Sequence, residues 1–243
     1  MLLLKMLDDR QRKILGAIIQ EYTETGEPVG SAILDKKYNL GVSPATIRNE
    51  MVVLKKEGYL EQPHTSAGRR PTAMAFRFYI KELMKEKELS VGEEVAVKER
   101  VWDYRREPEK LFREIAKALA QRTKSLAVVM TDNGDLYHAG YANILEIPEF
   151  YDIDVTKSVL SLLDEASQLT SLFAKSLSEE PIRVLIGNDF GLEALSSCSL
   201  VFADFKTGQD KSGKVGVIGS CRSDFAYVIP VLRYFVNLIK EMG

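Results

Sequence analysis

Apolar residues at Ile14, Leu15, Ile18, Ile19 and Tyr22 fall three and four positions apart, the repeat of one helical face. Asp8 or Asp9 is placed to cap this helix, and Gly26 followed by Pro28 to stop it. A second, shorter helix fits Ser31 to Tyr38, with Ile33 and Leu34 expected to face inward. Asn39, Leu40 and Gly41 then make a tight turn, since Asn and Gly accept left-handed backbone. Ser43-Pro44 opens a third helix, the serine accepting free N–H groups and the proline losing no bond in the first turn. That helix runs to about Glu57, where Gly58 ends it. Helix, short helix, glycine turn and helix, in that order, make a helix-turn-helix. Behind it, Tyr59 to Gln62 reads as a strand, Pro63 to Gly68 as a turn-rich tip, and Arg69-Arg70-Pro71 as the return of a two-stranded wing. Thr72 caps a further helix that packs through Phe76, Tyr79, Ile80 and Leu83.

The pattern then changes. Residues 85–108 are rich in Lys and Glu and read as a linker or exposed helix, with Trp102 and Tyr104 available to dock it. From Glu109 a helix carrying Leu111, Phe112, Ile115, Ala116 and Leu119 leads into a buried strand at Leu126 to Met130. Asp132 to Asp135 is a hairpin turn, and Leu136 to Tyr141 follows as a strand. A helical stretch covers about Thr156 to Ser176, then a strand at Ile182 to Ile186 and a short helix near Gly191 to Ser197. Leu200 to Phe205 and Lys214 to Ile218 are strands joined by a glycine-rich hairpin, and a last helix starts near Asp224. The predicted class is therefore α+β: an N-terminal winged helix-turn-helix domain over 1–84, a charged connector over 85–108, and helices against an antiparallel sheet over 109–243.

The third helix carries the chemistry. Ile47, Met51 and Leu54 lie on its packing side; Ala45, Asn49, Val52 and Lys56 lie opposite, flanked by Thr46 and Arg48. Entry into a major groove demands small residues for close approach, amide or guanidinium groups for base edges, and cations for phosphates. All three occur here, near the helix start where recognition helices touch bases. An ordinary amphipathic helix with a solvated face has the same pattern; the wing directly behind it favours DNA. On that wing His64, Thr65, Ser66, Arg69 and Arg70 suit phosphate and sugar contacts. Charge points the same way: residues 1–81 hold 13 Lys/Arg against 9 Asp/Glu, whereas residues 82–243 hold 20 against 26.

Three stretches give the chain a family likeness: GEPVGS at 26–31, NLGVSPATIRNEM at 39–51 and LEQPHTSAGRRPT at 60–72. They resemble the HrcA family of heat-inducible transcription repressors. The resemblance implies a bacterial repressor of chaperone genes that binds the inverted-repeat operator CIRCE in double-stranded DNA. It places Ser43, Thr46, Arg48 and Asn49 in the operator groove, and His64, Thr65, Ser66 and Arg69 on the wing. It extends, more loosely, to IGNDFGLEALSSCSLVFADFKTG at 186–208 and KVGVIGSCRSDFAYVIPVLRYFVNLI at 214–239, which implies a GAF-like second domain. It also implies a homodimer and dependence on the GroE chaperonin. Family members carry an inserted dimerisation segment; here the Val128 strand turns at Asn133-Gly134 and reaches Tyr137 almost at once, so most of that segment is expected to be missing.

Other chemistry finds little support. His64 and His138 fall in different predicted domains, and no Cys/His spacing suits a metal. Cys198 and Cys221 cannot make a disulfide framework and read as buried free thiols. GKVGVIG lacks dinucleotide spacing, and no Ser, Cys or Lys has a partner for nucleophilic catalysis. The expectation is a non-enzyme without cofactor or metal, cytoplasmic and independent of membranes. The alternative is a ligand-responsive winged-helix regulator whose GAF-like domain senses a small molecule.

Overall fold

A computed structural model describes residues 7–65, 67–176, 180–208 and 210–242. The chain divides into two compact units, Met1–Lys85 and Glu86–Gly243.

The first unit begins with α1 (Asp9–Thr25), whose start is fixed by a capping box: Gln11 N–H donates to Asp8 Oδ1 at 2.8 Å and Asp8 N–H to Gln11 Oε1 at 3.2 Å. Helices α2 (Ser31–Lys37) and α3 (Pro44–Lys56) follow, joined by a turn in which Gly41 takes φ 69°. Ile14, Leu15, Ile18 and Ile19 from α1 are buried together with Leu34 of α2 and Ile47, Met51 and Leu54 of α3. Ile33 corrects an expectation, since it points outward with 42% of its surface exposed. Glu21 on α1 is buried and accepts from Lys37 Nζ at 2.7 Å and from Tyr38 Oη at 3.2 Å, which ties α2 to α1. Burial and that hydrogen bond push the Tyr38 phenol up to about 12.

The wing is β1 (Leu60–Glu61) paired antiparallel with β2 (Arg70–Pro71). A third segment extends it, which local sequence pattern does not reveal. Val29 and Arg69 form an isolated bridge, with N···O distances of 2.8 and 2.9 Å in the two directions. Gly68 permits this approach: a Cβ there would lie 2.5 Å from the Val29 carbonyl oxygen. Thr72 caps α4 (Ala73–Phe78), and a wider turn over Tyr79–Leu83 closes the unit.

The second unit is built on a five-stranded antiparallel sheet in the order β4-β3-β7-β6-β5. Its strands are β3 (Leu126–Thr131), β4 (Leu136–Ala139), β5 (Arg183–Ile186), β6 (Cys198–Lys206) and β7 (Ser212–Ser220). Helices α5 (Val91–Trp102), α6 (Pro108–Thr123), α7 (Tyr141–Leu145), α8 (Ile153–Asp164), α9 (Ala166–Lys175) and α10 (Phe225–Glu241) complete it. Leu126, Val128, Leu200, Phe202 and Ile218 of the sheet share a buried cluster with Ile144, Val159, Leu162, Leu169 and Phe173. Helix α6 lies against β3 and β4, and α10 against β6.

Three local expectations are corrected in this unit. Tyr141 begins α7 rather than ending β4, and the helical stretch 156–176 is two helices that meet at Glu165. The short helix near 191–197 is a pair of single turns, Gly187–Phe190 and Glu193–Leu195. Within 85–108, α5 buries Val97 and Val101 and is bonded into the second unit: Tyr234 Oη donates to the Glu94 carbonyl at 2.7 Å, and Arg122 pairs with Glu93.

Helix α10 carries Pro230 in its interior. Proline has no N–H, so the Ala226 carbonyl one turn back has no helical donor. The Lys87 amide supplies one at 2.8 Å, while Lys87 Nζ pairs with Asp224 and Glu86 accepts two bonds from Arg233.

Candidate nucleic-acid interface

Helix α3 starts at a polar cap: Ser43 Oγ accepts from Thr46 N–H at 3.2 Å and lies 3.0 Å from the Thr46 hydroxyl. Both hydroxyls, predicted to meet DNA, are thus already engaged in starting the helix, although Ser43 is exposed. Ile47, Met51 and Leu54 hold the inner side, so Ala45, Arg48, Asn49, Val52 and Lys56 are left exposed on the outer side. The side chains of Arg48, Asn49 and Lys56 make no hydrogen bond or ion pair with the described residues. Glu50, an acidic residue of this helix, is instead turned to α1, where Arg10 pairs with it at 3.3 Å and Gln11 donates to it at 3.2 Å. The outer side therefore presents amide and cationic groups free of intramolecular competition.

The wing residues divide. His64 and Thr65 are exposed at the tip, and Ser66 lies outside the described residues. Arg69 is half-buried, and its Nη1 donates to the Ala67 and Gly68 carbonyls at 3.2 and 3.5 Å; its Nε is buried and has no partner among the described residues. Arg70 pairs with Glu61 across the wing at 2.6 Å, with about half of each side chain exposed. Both arginines are therefore engaged by the wing itself, and only Arg70 is well exposed.

Two residues outside the expected set shape the tip. Lys55 Nζ donates to Gln62 Oε1 at 3.3 Å, and Gln62 Nε2 donates to the Thr65 and Ala67 carbonyls at 2.8 and 3.2 Å. A glutamine between a strand and a turn carries no local pattern, so sequence reading places Gln62 only in the strand.

Among the described residues no three His, Cys, Asp or Glu side chains gather to hold a metal ion, and no helix is long and apolar enough to cross a membrane. Among the described residues neither cysteine forms a disulfide; Cys198 is buried, and burial pushes its thiol up to about 12, away from the reactive thiolate, whereas Cys221, also expected to be buried, is half-buried.

The chain is similar to several curated proteins along its length. It is 30% identical to the heat-inducible transcription repressor HrcA of Desulforudis audaxviator, over 97% of this chain and 98% of that protein. With the repressor of the same name from Symbiobacterium thermophilum it shares 28% identity, over 98% of this chain and 99% of the other. That alignment runs over 338 positions against 243 residues here, so at least 95 of its positions have no counterpart in this chain. Among solved structures, one described as a hypothetical protein at 2.2 Å resolution superposes with a TM-score of 0.77 at 21% identity, covering 98% of each chain. The overlay supports the fold. The profile of the HrcA protein C-terminal domain matches residues 73–229. With more than half of its length inside that profile, and with HrcA relatives aligned from end to end, the chain belongs to the HrcA family of transcription repressors, which are not enzymes.

Proposed function

We propose that this protein represses chaperone genes by binding an inverted-repeat operator of the CIRCE type as a two-fold pair. The observation that carries the reading is the outer side of α3, where Arg48, Asn49 and Lys56 are exposed and unpaired among the described residues. Arg48 and Asn49 are suited to base edges and Lys56 to phosphate. Ser43 and Thr46 set the helix start against the backbone, while His64, Thr65, Arg69 and Arg70, with Ser66 assigned from the sequence alone, serve as the wing contacts. A single winged helix covers too little DNA for high specificity, so two copies on two half-sites combine their affinities. The second unit would hold the pair, and occupancy of the operator would exclude polymerase. Assistance by the GroE chaperonin comes with the family resemblance and is part of the same proposal.

DNase footprinting on promoter fragments of the organism's own chaperone genes tests the reading. Protection over two half-sites, lost in Arg48→Ala and Asn49→Ala, is the expected result. Absence of protection, or protection that ignores both substitutions, would overturn it. Sedimentation with and without an inverted-repeat duplex tests the pairing; a monomer in both samples would exclude it.

A further inference from the structure

The tie between α3 and the wing tip has a function that the base- and phosphate-facing residues do not supply. The tip runs from Pro63 to Gly68, too long to be fixed by strand pairing alone, since β1 and β2 have two residues each. Arg69 Nη1 bonds the Ala67 and Gly68 carbonyls at the returning end, and Gln62 ties the tip to α3. The Gln62 amide donates to the carbonyls of Thr65 and Ala67, while its oxygen accepts from Lys55 near the end of α3. Inside the loop the Ala67 N–H donates to the His64 carbonyl at 2.9 Å.

We infer that Gln62 is the positioning residue that holds the wing tip at a fixed place beside the recognition helix, with Lys55 as its anchor. The inference rests on the DNA-binding reading above and deepens it. The residue type is specific to the task. A primary amide offers two N–H donors and an acceptor in one plane. Glutamate has no donor for the two carbonyls, and lysine has no acceptor for Lys55. Without the amide, the loop bearing His64 and Thr65 must be ordered at the moment of binding, and that ordering is subtracted from affinity.

The test uses the full chain and two variants, Gln62→Met, which keeps length and loses all three bonds, and Gln62→Glu, which keeps only the acceptor for Lys55. Hydrogen exchange in the free protein reads the clamp. The Ala67 amide should exchange faster in both variants while the amides of α3 keep their wild-type rates. Fluorescence anisotropy with a random-sequence 30-base-pair duplex reads its consequence. For Gln62→Met, affinity should fall by about fivefold to tenfold while the slope of log affinity against log salt stays as in the wild type, because the tip carries no Lys or Arg. Unchanged exchange at Ala67 in both variants overturns the clamp, and so does faster exchange with unchanged affinity. Failure of the wild-type chain to bind the duplex at low salt would instead overturn the DNA reading, because exchange in the free protein does not depend on it.

Discussion

Helices α3 and α10 use their surfaces in opposite ways. Helix α10 buries most of its length, from Phe225 through Ile239, and two of its three charged residues are bound by its own unit: Arg233 by Glu86 at 2.6 and 2.8 Å, and Glu241 by Lys98 at 2.9 Å. Helix α3 buries only Ile47, Met51 and Leu54, and leaves Arg48 and Lys56 unpaired among the described residues. Exposed ion pairs contribute only about 0–1 kcal/mol, so those on α10 chiefly orient its neighbours. The absence of such pairs at Arg48 and Lys56, on the outer side of α3, matters more, since the helix's one acid, Glu50, is paired with Arg10 on its other side. Polar groups with no intramolecular partner stay available to a partner outside the chain.

The contrast can be broken at several points. Phe202→Ala removes a buried ring that packs tilted against Phe173 at 4.9 Å between centroids and should cost about 3–5 kcal/mol in urea unfolding. If it also abolished DNA binding by the folded fraction, the core and the proposed interface would not be separable. Gly68→Ala forces a Cβ onto the Val29 carbonyl and should cost about 1–3 kcal/mol, read as a lower thermal midpoint with a weakened wing. Asn49→Ala should lose about 1–3 kcal/mol on a preferred operator and little on random DNA, measured by anisotropy. Equal losses on both would make Asn49 a structural residue.

A smaller effect sharpens the α1–α2 tie. The Tyr38 proton is held more tightly in the folded than in the unfolded chain. Its stabilisation is therefore complete below pH 10 and is lost as pH rises towards about 12. Urea unfolding across that range should show the decline, and Glu21→Gln should reduce it.

The comparison also explains what the sequence could and could not reveal. Asp8 is one of two candidate caps in the sequence, and the structure chooses it over Asp9 and adds the reciprocal bond to Gln11. The cap at Ser43-Pro44 is legible because capping joins residues close in sequence. The same holds for the inner stripe of α3, whose period defines its outer side by exclusion. Ile33 is misread because α2 has only seven residues, too few for a repeat to choose between neighbouring faces. The break at Glu165 has neither Gly nor Pro to mark it. The partners of α5, including Arg122, Tyr234 and Glu241, are remote in sequence, so a charged stretch read locally looks like a connector. The bridge from Val29 to Arg69 joins two residues forty apart, and Gln62 acts through loop carbonyls, which every residue has. At the candidate interface, which residues of α3 face outward was legible. Which of them the chain reserves for itself was not.

Pro230 would pass for a flaw by helix-propensity rules, yet its missing hydrogen leaves a vacant socket on α10 that admits the Lys87 amide and nothing from the helix itself. The repair that a protein engineer would try first, Pro230→Ala, restores an internal donor to compete for that socket. A more regular helix would then come at the expense of the strand of chain fastened along it, so the imperfection is the latch.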